Sequence, residues 1–283
     1  MYPLQELTAY LDQIFPAELA ASWDNVGLLV GDSASRVKRV LTCLTVTPET
    51  VAEAIQKKVN VIVSHHPFPF HAGKRWTTQT PEGRMLIDLI SNQIAVYSPH
   101  TAHDSALFGI NEQLAAKLGL KQTRSLYPGT LKPTVAMAKG ATRQFHGCAT
   151  KREILGTGRM GQLAKPMTVT DFIEKVRGEL GQSVVQAAFT ENREVRTVAI
   201  GCGAADEFVD QAVQEKADLL LVGEARFHAF LRATEQGIAL VAPGHYATER
   251  FAMETLVLRI ADMFPKLVVF ASDKESDPVK NFF

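Results

Sequence analysis

The sequence predicts an α/β protein with two similar α/β lobes from an internal duplication, each on a largely parallel sheet. Three observations carry this expectation. Strand-like apolar runs alternate with helical patterns, polar clusters recur just past strand ends, and a stretch of the first half is echoed in the second. The 283 residues suffice for one large domain or two ordinary ones, and an apolar content of 46% supplies the core.

Residues 4–15 carry Leu4, Leu7, Leu11, Ile14 and Phe15 at helical spacing before Pro16. Ser22-Trp23-Asp24-Asn25-Val26-Gly27 is a turn-rich entry into a short strand, and residues 40–46 form a second. Thr47-Pro48-Glu49 reads as an N-cap, a proline at the first helical position and an acid in the first turn. The apolar run Val59-Asn60-Val61-Ile62-Val63 then delivers Ser64-His65-His66-Pro67. After a loop, Thr80-Pro81-Glu82 caps another helix, and a strand at 94–97 leads to Ser98-Pro99-His100-Thr101-Ala102-His103-Asp104. A helix from about 110 closes at Gly119.

Residues 121–165 are less patterned. Residues 134–138 suit a strand, and Gly156-Thr157-Gly158-Arg159-Met160-Gly161 lacks the spacing of a phosphate-binding fingerprint and reads as a turn. From Thr168 the alternation resumes. Helices are expected at 168–180, 206–216, 228–236 and 246–261, and strands near 184 and at 195–200, 219–222, 238–241 and 267–270, before a polar tail.

A shift of 158 lays residues 40–66 on 198–224 without a gap, with Val61-Ile62-Val63 over Leu219-Leu220-Leu221. A shift of 144 lays the strand ending in Ser98-Pro99 on the one ending in Ala242-Pro243. His100-x-x-x-Asp104 follows the first and His245-x-x-x-Glu249 the second. The predicted lobes are 1–125 and 126–283, with no inserted middle domain. Ligands of open α/β sheets bind at the carboxyl ends of strands, so a site in the cleft between the lobes is expected.

The polar residues at those ends are His65, His66, His100, His103, Asp104, Glu224, His245 and Glu249, and the list holds five of the eight histidines. Imidazoles with carboxylates suit divalent Zn, Fe, Mn, Ni or Co. His245 and Glu249 share a helical face if the helix starts at the Gly244-His245 junction. On an extended chain, His65 and His66 point apart and would serve separate ions.

Asp24-Asn25-x-Gly27-Leu28, Ser64-His65-His66-Pro67, His100-Thr101-x-x-Asp104 and Gly244-His245-Tyr246-Ala247-Thr248-Glu249 resemble the signature segments of a dinuclear-metal family. This is the NGG1-interacting-factor-like family, whose members are called GTP cyclohydrolase 1 type 2 homologues. The resemblance implies two divalent metal ions held by His65, His66, Asp104, His245 and Glu249, with Glu249 bridging, and assembly into a homohexamer. The chain departs from the family pattern in having Gly201-Cys202-Gly203-Ala204 for a Gly-Gly-Ser-Gly stretch, and in His103 where an apolar residue is usual.

The implied activity is metal-dependent hydrolysis of a small molecule, a nucleotide among the candidates, with hydroxide attacking the guanine ring of GTP. His100 and Glu224 are candidate proton carriers. The alternative is a metal-responsive binding or assembly protein without turnover. Lys plus Arg and Asp plus Glu number 30 each, so no global basic field draws nucleic acid, which is disfavoured as a partner. Three dispersed cysteines, Cys43, Cys148 and Cys202, speak against a disulfide framework or a thiolate zinc site. With no signal-peptide pattern and no long apolar window, a cytoplasmic protein without membrane contact is expected.

Overall fold

The computed structural model describes residues 1–129 and 155–282, so the strand expected at 134–138 lies outside the described residues. The backbone gathers into two compact units. One comprises Met1–His103 with Ala252–Val279; the other takes in residues 104–129, 155–251 and 280–282.

In the first unit a five-stranded sheet runs in the order Val268–Ala271, Arg39–Cys43, Val61–Ser64, Ala95–Ser98, Gly27–Val30. The first four are parallel and the last is antiparallel to its neighbour. The three central strands are buried along most of their length, which explains why they read as continuous apolar runs rather than alternations. Helix Leu4–Ile14 buries Leu4, Leu7, Leu11 and Ile14, its expected face. Helix Pro48–Gln56 begins at Thr47, whose side chain accepts from Thr50 N while Thr50 Oγ1 accepts from Thr47 N, a reciprocal cap. Val51 and Ala54 of that helix and Leu86 and Leu89 of helix Pro81–Ser91 close the core over Leu41, Ile62 and Val96.

In the second unit six strands run in the order Gln186–Ala188, Ala239–Ala242, Leu219–Glu224, Glu194–Ala204, Arg159–Thr168, Lys121–Arg124. The pairs among Ala239–Ala242, Leu219–Glu224 and Glu194–Ala204 are parallel; the three outer pairs are antiparallel. The expectation of a largely parallel sheet is thus met in the first unit and corrected to a mixed sheet in the second. The glycine-rich segment expected as a turn supplies Gly156–Thr157 and the start of the ten-residue strand Arg159–Thr168. That strand holds Pro166, tolerated because the pairing with Glu194–Ala204 is interrupted between Gln162 and Met167. Lys121–Arg124 is a polar edge strand with no apolar period to announce it.

Within each unit three consecutive parallel strands share a register. Val40 pairs with Val61 and Val61 with Ala95 in one; Val198 pairs with Leu219 and Leu219 with Ala239 in the other. These are the residues that the shifts of 158 and 144 superimpose in the sequence.

One further expectation changes. The single helix expected at 246–261 is two, His245–Glu249 and Ala252–Met263, which belong to different units. The last strand joins the sheet of the first unit, beside Arg39–Cys43. The polar tail helps to hold that strand there: the Glu275 carboxylate accepts from Leu44 N at 3.0 Å and Thr45 N at 2.7 Å.

Thr47→Ala removes one half of the reciprocal cap. We expect it to lower stability by about 1 kcal/mol in a urea titration while leaving the fold unchanged by circular dichroism.

Candidate metal centre

Metal-compatible side chains occur in each unit. In the first, strand Val61–Ser64 ends where the histidines begin, but its pairing continues through the backbone: His65 N donates to Cys43 O at 2.9 Å and His66 N to Leu44 O at 2.8 Å. The chain bends at these two residues, so their rings do not diverge as on an extended strand; the centroids are 5.1 Å apart. His66 Nδ1 meets Thr45 Oγ1 at 2.8 Å, and Ser64 Oγ, itself 2.8 Å from Ser98 Oγ, donates to His66 O. Nδ1 of His66 is thereby engaged, and Nε2 is the nitrogen that would ligate.

His100 opens helix His100–Ser105 with φ at 32°, a left-handed conformation rare for a residue with a side chain. It is held by Asp24, whose Oδ1 lies 2.7 Å from His100 Nδ1 and whose Oδ2 accepts from Thr101 N at 3.1 Å and from Thr101 Oγ1. Burial pushes the Asp24 carboxyl up, but the hydrogen bonds from His100 and Thr101 outweigh it and bring the pKa below the ordinary value. An ionised Asp24 keeps the proton on Nδ1, so Nε2 of His100 is the basic nitrogen. His65, His66 and His100 each offer a nitrogen, all within 4.8 Å of one another. His103, buried, packs its ring 4.3 Å from Phe15 and 5.9 Å from that of His65.

In the second unit helix His245–Glu249 starts at the expected junction, and His245 Nε2 lies 2.9 Å from Glu249 Oε2. The other nitrogen, Nδ1, lies 3.1 Å from Glu224 Oε1. Burial lowers the His245 pKa, but Glu249 and then Glu224 more than offset this and push it up to about 9. Asp104 Oδ1 accepts from Cys202 Sγ at 3.2 Å, and its carbonyl accepts from Asn111 Nδ2; Asn111 Oδ1 in turn accepts from Cys202 N at 2.8 Å. Complete burial, then the charges of Asp104 and Glu249, push the Cys202 thiol well up, so it stays a neutral donor.

Two glycines let this helix seat on the strand ends. A Cβ on Gly203, where φ is +62°, would lie 2.1 Å from Glu249 Oε1, and one on Gly223 would lie 2.6 Å from both Gly203 O and Thr248 Oγ1. Gly203 N donates to Thr248 Oγ1, which donates to His245 O. The amides of Cys202 and Gly203 are thus used internally and are not offered to a phosphate.

Of the residues expected from sequence, the first unit brings together His65, His66 and His100, and the second brings together Glu224, His245 and Glu249. Asp104, tied to Cys202 and Asn111, also has a carboxylate oxygen within 4.8 Å of one of Glu249. Of the residues that fix them, Thr45 and Asn111 carried no recognisable signal; Asp24 and Thr248 stood within signature segments but without a role, and Cys202 and Gly203 stood in the stretch that departs from the family pattern. Imidazole nitrogens and carboxylate oxygens are the donors that borderline divalent ions take, so the His and Glu groups present could bind a metal ion.

The model of the Duf34/NIF3 (NGG1p interacting factor 3) family matches residues 2–278. The chain belongs to the Duf34/NIF3 family. Similar members include a "GTP cyclohydrolase 1 type 2 homolog" of Clostridium perfringens, 29% identical over 97% of this chain and 98% of the relative. A protein of the same name from Streptomyces coelicolor is 31% identical over 87% of this chain and 81% of its own. Among solved structures, the Bacillus cereus protein related to NIF3 superimposes with a TM-score of 0.87 at 25% identity, covering 100% of this chain and 99% of that one. Among the described residues of this Duf34/NIF3 member, no helix is long and apolar enough to cross a membrane.

The His245 pKa is raised on folding, so its contribution to stability is complete below the unfolded value near 6.5 and is lost as pH rises through about 9. Metal-free protein should therefore lose about 2 kcal/mol between pH 6 and pH 9.5, after allowance for solvent screening at Glu224. Urea titrations at the two pH values measure the loss, and Glu249→Gln should shrink it. An NMR titration placing the His245 midpoint near 6.5 would contradict the assignment.

Proposed function

We propose that this protein is a metal-dependent hydrolase acting on a nucleotide-like small molecule, with two divalent ions held by His65, His66, Asp104, His245 and Glu249. By resemblance to the family, Glu249 would be shared by both ions, and each histidine of the doublet would serve its own. The observation that carries it is how the candidate ligands are held. His66 rests on Thr45, His245 on Glu224, and Asp104 on Cys202 and Asn111, as ligands of functional metal sites are by their outer partners.

Zn, Fe, Mn, Ni and Co all suit such donors. When bound, a pair of ions supplies Lewis acidity and a water ionised near neutral pH. The chain's own residues do the rest. Glu224, 3.1 Å from His245 Nδ1, orients that ring and holds its Nδ1 proton, so that Nε2, beside Glu249 Oε2, is the nitrogen that would ligate. His100, its Nδ1 proton kept by Asp24, has a basic Nε2 and is a candidate proton carrier, as is Glu224 itself. Five protein ligands on two ions leave positions open to substrate. The name borne by the relatives suggests GTP, with attack at C8 of the guanine ring and release of formate. A cytoplasmic homohexamer belongs to the same proposal, by resemblance to the family. So does an internal duplication with halves of about 1–125 and 126–283, which the equal registers of the two sets of parallel strands support.

Protein analysed for metal as purified, then loaded with manganese, iron or zinc and offered GTP, should give metal-dependent formate. Absence of product from GTP and from a panel of phosphoesters and amides, with a large chelator-induced fall in Tm, would favour the metal-responsive assembly protein instead. Glu249→Gln, if it keeps its fold and its metal by metal analysis, should lower turnover by about 100-fold, which would exclude the assembly reading. His65→Ala and His66→Ala should each deplete a different ion in metal analysis; equal loss of both ions in both variants would contradict the assignment of one histidine to each.

A further inference from the structure

Two large aromatic rings stand beside the imidazole cluster and have no part in the core. The residues Trp23 and Phe70 are 65% and 42% exposed. Their ring centroids lie 6.4 Å apart, and both rings meet His100 edge to face, at 5.9 Å and 6.2 Å. His71, next along, packs its ring 4.6 Å from Phe70. Isolated exposed hydrophobics are ordinary, but these are clustered and purely aromatic, and they adjoin groups whose chemistry is polar.

They are also held in place. Asp24, the neighbour of Trp23, is tied to His100 and Thr101, and Ala21 N donates to Thr101 Oγ1 at 2.9 Å. Asn25 Nδ2 donates to Pro69 O at 3.3 Å, which links the loop of Trp23 to the loop of Phe70. Phe68, buried at the base of the second loop, anchors it to the core of the first unit. The loops that carry the rings are thus tied down, which lowers the entropy cost of stacking on them. Aromatic side chains with exposed faces take planar rings by stacking, and the presence of His100 beside them supplies a polar partner for a ring nitrogen or carbonyl.

We propose that Trp23 and Phe70, whose rings are inclined by 58°, form a platform for a planar nitrogen heterocycle, of purine or pteridine kind, which stacks on one ring, meets the other at its edge and is held against His100. In taking that ring to be part of the substrate, the proposal rests on the hydrolase reading above and supplies its specificity element. Aliphatic and sugar-phosphate compounds lack the face that the platform recognises.

The chain has two tryptophans, so Trp76→Phe leaves Trp23 as the fluorescent reporter. Titrating that full-length variant with guanosine should quench its emission saturably, and ribose 5-phosphate should not. By calorimetry, Trp23→Ala and Phe70→Ala should each weaken guanosine binding about 10-fold, while Trp23→Phe stays within about 3-fold. Absence of saturable quenching, or unchanged affinity in both alanine variants, overturns the platform. A shift in oligomeric state of Trp23→Ala by light scattering, with affinity unchanged, overturns it in favour of a protein interface. Metal content measured on the same samples separates the two readings. A protein that binds guanosine but no metal breaks the hydrolase reading alone, and one that keeps its metal without binding guanosine breaks the platform alone.

Discussion

Two backbone hydrogen bonds beyond the formal end of a strand govern the first set of groups. By donating to Cys43 O and Leu44 O, His65 and His66 prolong the parallel pairing of Val61–Ser64 with Arg39–Cys43 while their chain bends. The acceptor segment is itself restrained, because the Glu275 carboxylate takes the amides of Leu44 and Thr45. Hydrogen bonds to a charged acceptor contribute about 1.5–3 kcal/mol each, enough to hold a short turn that carries the partner of His66. A residue in the polar tail therefore acts on the imidazoles through the backbone of a strand 230 positions away.

The second set depends on close approach rather than on pairing. Glycine at 203 and 223 lets helix His245–Glu249 sit against the strand ends, and Thr248 joins the two by accepting from Gly203 N. Beneath it, Cys202 is buried near two carboxylates. There a thiolate would be both desolvated and repelled, so the thiol remains protonated and serves as a donor to Asp104. That explains why a cysteine can stand in this loop without reactivity, and why the loop is occupied by its own contacts.

The aromatic and imidazole groups of the first unit share one support. Asp24 fixes His100 through one oxygen and Thr101 through the other, and its neighbour Trp23 is positioned by the same turn. The left-handed φ of His100 persists because this network over-determines it, as backbone strain at functional positions generally requires.

Much of this was legible from local pattern. Buried parallel strands announce themselves as apolar runs, Thr-Pro-Glu marks a helix start by cap and proline chemistry, and an i, i+4 spacing puts His245 and Glu249 on one face wherever the helix begins. Those are short-range constraints, and the sequence by itself determined them, together with the family to which the chain belongs. The polar edge strand Lys121–Arg124, the interrupted strand Arg159–Thr168, the attachment of Val268–Ala271 to Arg39–Cys43 and the bend that sets the two histidine rings side by side were not legible. Each is decided by hydrogen bonds or packing between residues far apart in sequence, and no local period records which edge a strand will join. The same holds for Asp24, Asn111 and Cys202, ordinary polar or small residues until tertiary structure gave each a ligand candidate to hold.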